Sequence, residues 1–96
     1  MSMSINSVSS RSTGKFVLNH QIIAAVTALQ ADAFADQESF LEEGLLKVSY
    51  FFDESIEQRD AVRASKALWA PTHPLKPHFA KCGTGVYRMW FTRRRK

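Results

Sequence analysis

Trp90 stands two residues after Arg88 and three before the run Arg93-Arg94-Arg95-Lys96. Guanidinium and ammonium groups meet phosphates, and an aromatic face accepts a stacked base, each stack contributing roughly 1–3 kcal/mol. A cationic run alone gives salt-sensitive affinity that is blind to sequence. The same groups also suit an acidic protein surface. A second set, Arg59, Arg63 and Lys66, recurs at i, i+4 and i+7, one continuous basic stripe if the segment is helical. A solvated helix face is the plainer reading of that stripe.

Other chemistry is thinner. His73, His78 and Cys82 carry metal-competent atoms, and His20 adds another, but intervals of five and four miss the paired spacing of zinc sites. No metal or cofactor is expected. Ser12-Thr13-Gly14-Lys15 ends like a phosphate loop, without the upstream glycine or the following hydroxyl. Glu42-Glu43 and Asp53-Glu54 read as solvated helix ends. Nucleophile, base and orienting group do not come together, so a non-enzymatic protein is expected.

Charge is strongly segregated along the chain. Residues 61–96 hold nine cations and no acid, whereas residues 32–60 hold nine acids against Lys47 and Arg59, a local balance of −7. The net charge of +4 hides this dipole, which steers the molecule toward acidic surfaces. At 96 residues the chain makes one small domain. A lone cysteine, Cys82, excludes an internal disulfide framework and fits a reducing compartment. No apolar run approaches the ~20 residues that span a bilayer, so no membrane partner is expected and the reading is cytoplasmic.

These side chains need elements to hold them. Residues 1–13 are Ser-rich and read as a flexible arm, with residues 14–92 the domain and residues 93–96 a basic tail. Residues 15–18 suit a short strand. Asn19 caps a helix over 20–35, in which Ile22, Val26, Leu29 and Ala33 share one face. A second helix starts at Gln37 with Asp36 as cap, and Leu41, Leu45, Val48 and Phe52 carry its face to residue 52, with a strand over 46–52 as the alternative. Ser55 and Gln58 form a capping box opening a third helix to about Trp69. Pro71, Pro74 and Pro77 make residues 70–77 an extended connector. Residues 78–96 read as a β-hairpin: 79–82, a Gly83-Thr84-Gly85 turn, and 86–92. Alternation sends Tyr87, Met89 and Phe91 to one side, the natural core contact, and Arg88, Trp90 and Thr92 to the other. The fold expected is α+β, about three helices on a C-terminal antiparallel hairpin, with a mostly helical chain ending in an irregular region as the alternative.

Two functions fit. The first is a phage-type accessory or inhibitor protein that docks on a larger nucleic-acid-processing protein, through Trp69, Leu75 and the prolines. A prolyl isomerase is a conceivable further partner, because X-Pro bonds exchange slowly. The second is direct, sequence-independent binding of DNA or RNA through Arg59, Arg63, Lys66, Arg88, Trp90, Arg93, Arg94, Arg95 and Lys96. Docking is slightly favoured, since an acidic middle repels a long nucleic acid except at one end.

Overall fold

Asn19 begins what the computed structural model describes, residues 19–95. The expected arm over 1–13, the strand over 15–18 and Lys96 lie outside the described residues. The Asn19 side chain accepts the Ile22 N–H at 2.9 Å and starts helix α1, His20–Ala35. Ile22, Val26, Leu29 and Ala33 are its buried residues, the expected face.

Helix α2 spans Gln37–Glu42 and is far shorter than the expected segment to residue 52. Asp36 holds the cap position, yet its side chain makes no capping bond. Gly44 adopts φ +74°, a left-handed conformation that ends the helix and that glycine takes at little cost. Leu46–Lys47 then form strand β1, and Val48–Tyr50 a 3-10 turn. Val48 and Phe52 are still buried, but Leu45 is exposed.

The capping box does not form. Ser55 gives its backbone N–H to the Asp53 carboxylate at 2.8 Å, which holds the Asp53 pKa below the ordinary value. The Gln58 side chain accepts the Tyr87 N–H at 2.8 Å instead. Helix α3 therefore starts two residues later than expected, capped at Glu57 instead of Ser55, and spans Gln58–Leu68. Its buried side chains are small (Ala61, Ala64, Ser65) or branched (Val62), which lets it lie close against the sheet.

Strands β2 (Leu75–Gly83) and β3 (Val86–Arg93) form the hairpin, and β1 completes an antiparallel sheet of order β1-β3-β2. The chain is therefore α+β, and the mostly helical alternative is excluded by strands that pair from Leu75↔Arg93 to Gly83↔Val86. The turn is shorter than expected, Thr84-Gly85, because Gly83 belongs to β2. Gly85 takes φ +68° there. Pro77 lies inside β2, where an edge strand tolerates a missing N–H.

Helices and sheet meet over Phe91. Its ring lies 5.3 Å from Phe40 and 5.8 Å from Trp69 between centroids, with Phe51 at 6.1 Å. Met89 and Leu75 are fully enclosed beside it. Among the described residues no helix is long and apolar enough to cross a membrane.

Candidate nucleic-acid interface

The register of the sheet sorts its side chains into two faces. Leu46 and Phe79 flank Met89, and Pro77 pairs with Phe91, so these point toward the helices. The opposite, outer face carries Lys47 and Ala80 on either side of Arg88. Its next rows are His78 beside Trp90 and Lys76 beside Thr92. None of the three described strands contains an acidic residue. Lys47, Lys76 and Thr92 are exposed, while Arg88, Trp90 and His78 are half-buried.

The central pair on this face is aromatic. The His78 and Trp90 rings lie 5.3 Å apart and 18° from parallel, and His78 Nε2 is hydrogen-bonded to the Thr92 hydroxyl at 2.7 Å. Partial burial, and then the nearby Lys76 charge, hold the His78 pKa below 6.5. Among the described residues both rings are partly accessible, as stacking by a further flat ring requires. Around the two rings, Lys47 faces Arg88 directly across the strands. Like charges so placed oppose sheet pairing. Among the described residues neither cation is ion-paired, so this pair points outward, to an anion.

The remaining site candidates are scattered. Trp69 is only 8% exposed and Leu75 not at all, and the indole N–H donates to the Leu75 carbonyl at 2.8 Å. Both belong to the core, which corrects their expected role as partner anchors. A proline-rich stretch between two apolar side chains resembles a docking segment in sequence, but here it is the stretch that seals the core. His73 is buried with them: its Nδ1 accepts the Leu75 N–H at 3.0 Å, so Nε2 carries the proton that is given to the Gln30 carbonyl. Gln30 also donates to the Leu68 carbonyl and accepts the Ala70 N–H, closing the connector onto α1. Pro71 is exposed, and Pro74 and Pro77 are half-buried.

Arg59 and Arg63 lie on α3, the layer that covers the inner face, and the sheet separates them from Arg88 and Trp90. Arg59 is 3.9 Å from Glu57. Lys66 lies 5.8 Å from the centre of the Phe79 ring. Arg93, still inside β3, is ion-paired with Glu38 of α2. Arg94 gives its backbone N–H to the Pro74 carbonyl at 2.8 Å and its Nε–H to the His73 carbonyl at 2.9 Å. The chain thus belongs to the fold through Arg94, which corrects the expected tail boundary at residue 93. Arg95 is exposed beyond it.

His73, His78 and Cys82 occupy three different settings: the core, the outer face, and the turn end of the hairpin, where the Cys82 thiol points to the Val86 carbonyl. Among the described residues no three His, Cys, Asp or Glu side chains gather as a metal site would require. Sequence reasoning missed Lys47, Lys76 and His78 as members of the face. Lys76 and His78 had a signal, their even spacing within one strand, while Lys47 had none, because a strand of two residues leaves no periodicity.

No protein-family model matches the chain, and no curated protein or solved structure is detectably similar to it.

Proposed function

We propose that the protein binds single-stranded nucleic acid across the outer face of its sheet, without reading its sequence. The observation that carries this is the composition of that face: Lys47, Lys76 and Arg88 around the His78–Trp90 pair, with no carboxylate on the three described strands. Cations hold the phosphates, and the aromatic pair stacks a base of any identity. The acidic residues lie in the helices and loops, so the repulsion that argues against binding in sequence falls on other parts of the molecule. The role is binding rather than catalysis. It suits the cytoplasm, where nucleic acid is at hand and the Cys82 thiol stays reduced.

Docking on a larger protein retains only the prolines from its set of anchors. Fluorescence anisotropy with a labelled oligothymidylate, titrated over a range of salt, separates the two readings. Direct binding predicts affinity that falls steeply with salt, and a loss of roughly tenfold in Trp90→Ala. Salt-insensitive binding, or a Trp90→Ala variant as tight as the parent, would sink it.

A further inference from the structure

The free edge of β2 opens into a cleft of about 420 Å³ between the end of α3 and the proline loop. Its walls divide by chemistry. Trp69, Pro71 and Phe79 supply apolar surface, whereas Lys66, Lys76 and Arg94 supply charge. No carboxylate lines it. Among the described residues none of these three cations is ion-paired.

One of the three is held in place by the fold itself, and a second lies against an aromatic ring. Lys66 is positioned over the Phe79 ring, and Arg94 is fixed through its backbone N–H and Nε–H to the carbonyls of Pro74 and His73. Three cations lining one small cleft make it electropositive, which favours an anion. Because Arg94 is already fixed, an arriving anion loses little entropy in ordering it. The cleft also continues into the outer face: Lys76, His78 and Arg94 line both it and the neighbouring hollow that contains Thr92 and Arg95. A strand crossing Trp90 and passing Lys76 reaches the cleft by turning over the edge of β2.

We propose that this cleft takes a phosphate monoester attached to a nucleoside, supplied by the terminal phosphate of the bound strand or by a free mononucleotide. A monoester carries about −1.5 to −2 charges at neutral pH, against one for each internal diester, and so matches three cations better. The apolar wall accommodates the attached nucleoside. This inference rests on the nucleic-acid reading of the outer face.

The test compares oligothymidylates of one length that carry a phosphate at the 5′ end, a phosphate at the 3′ end, or hydroxyls at both. A terminal phosphate at one of the ends raises the affinity of the parent protein about tenfold, the effect of one or two charge-assisted hydrogen bonds. Lys66→Gln collapses that ratio toward one, while Trp90→Ala weakens both kinds of oligonucleotide and preserves it. Thymidine monophosphate that removes the advantage at a concentration comparable to the oligonucleotide assigns the site to free nucleotides, and failure to do so assigns it to strand ends. Equal affinity for phosphate and hydroxyl ends, or a preference that survives Lys66→Gln, overturns the cleft alone. Failure of every oligonucleotide to bind removes the outer-face reading, and the cleft with it.

Discussion

Alternate residues of β3 experience opposite physics. Met89 and Phe91 face the helices, are enclosed by aromatic and aliphatic side chains, and are explained by the stability they confer. Arg88, Trp90 and Thr92 face the other way, with a like charge opposite the arginine and a half-buried indole stacked on His78. The inner face is what a small domain needs in order to fold. The outer face works slightly against folding. A feature that costs stability and gathers charge of one sign is best accounted for by a ligand.

That contrast can be broken by exchanging the roles of the two faces. Leu75→Ala removes a fully enclosed side chain from the inner side, and should lower unfolding stability by about 2–5 kcal/mol in urea titration, leaving the affinity of the folded fraction intact. An unchanged midpoint would mean that the inner face is not the core. Ser65→Ala should act in the opposite direction. The Ser65 hydroxyl is buried without a hydrogen-bond partner among the described residues, so its removal should stabilise by roughly 1 kcal/mol and leave binding alone.

The outer face is sharpened by changes that separate stability from affinity. Lys47→Gln relieves the repulsion with Arg88, giving a gain of a few tenths of a kcal/mol. The same change should weaken oligonucleotide binding and reduce the salt slope by about 0.7, the value for one lost phosphate contact to a single strand. A loss of stability together with loss of binding would place Lys47 among the structural residues instead.

The smallest effect concerns His78. Its folded-state pKa lies below 6.5, so the unfolded chain binds the proton more readily, and this contribution to stability is complete above 6.5 and lost as pH falls through the depressed value. A bound phosphate favours the imidazolium despite Lys76 and Arg88 nearby, so affinity should rise as pH falls from about 7.5 to about 5.5. His78→Gln should flatten that rise. A parent protein whose affinity is level over this range would remove His78 from the site.

Local signals carried much of this fold into the sequence. Helix α1 was legible to its ends, because Asn19 and the four-three-four spacing of Ile22, Val26, Leu29 and Ala33 act within one element. The two faces of β3 were legible for the same reason. Strand β1 was legible only as an alternative: Val, Tyr and Phe suit a strand over 46–52, but Leu46 and Lys47 form one because Met89 and Arg88 pair with them, where spacing alone continues the helix that Gly44 ends. Ser55 and Gln58 matched a capping pattern, but Asp53 and Tyr87 offered better partners. Of the site, Arg88 and Trp90 could be found by alternation. Trp69 and Leu75 were expected to anchor a partner, since a proline-rich stretch gives no sign that its flanking side chains turn into the chain's own core.

The two tryptophans offer the most direct test of the central claim, because one lies on each side of the sheet. Their indole N–H signals are the only two of their kind in a 15N-labelled sample, and a hydroxyl-ended oligothymidylate can be titrated against both. The Trp90 signal should move progressively, while that of Trp69, buried and donating to the Leu75 carbonyl, should stay in place. A shift at Trp69 with Trp90 unmoved would contradict the account, and so would the absence of any shift at either.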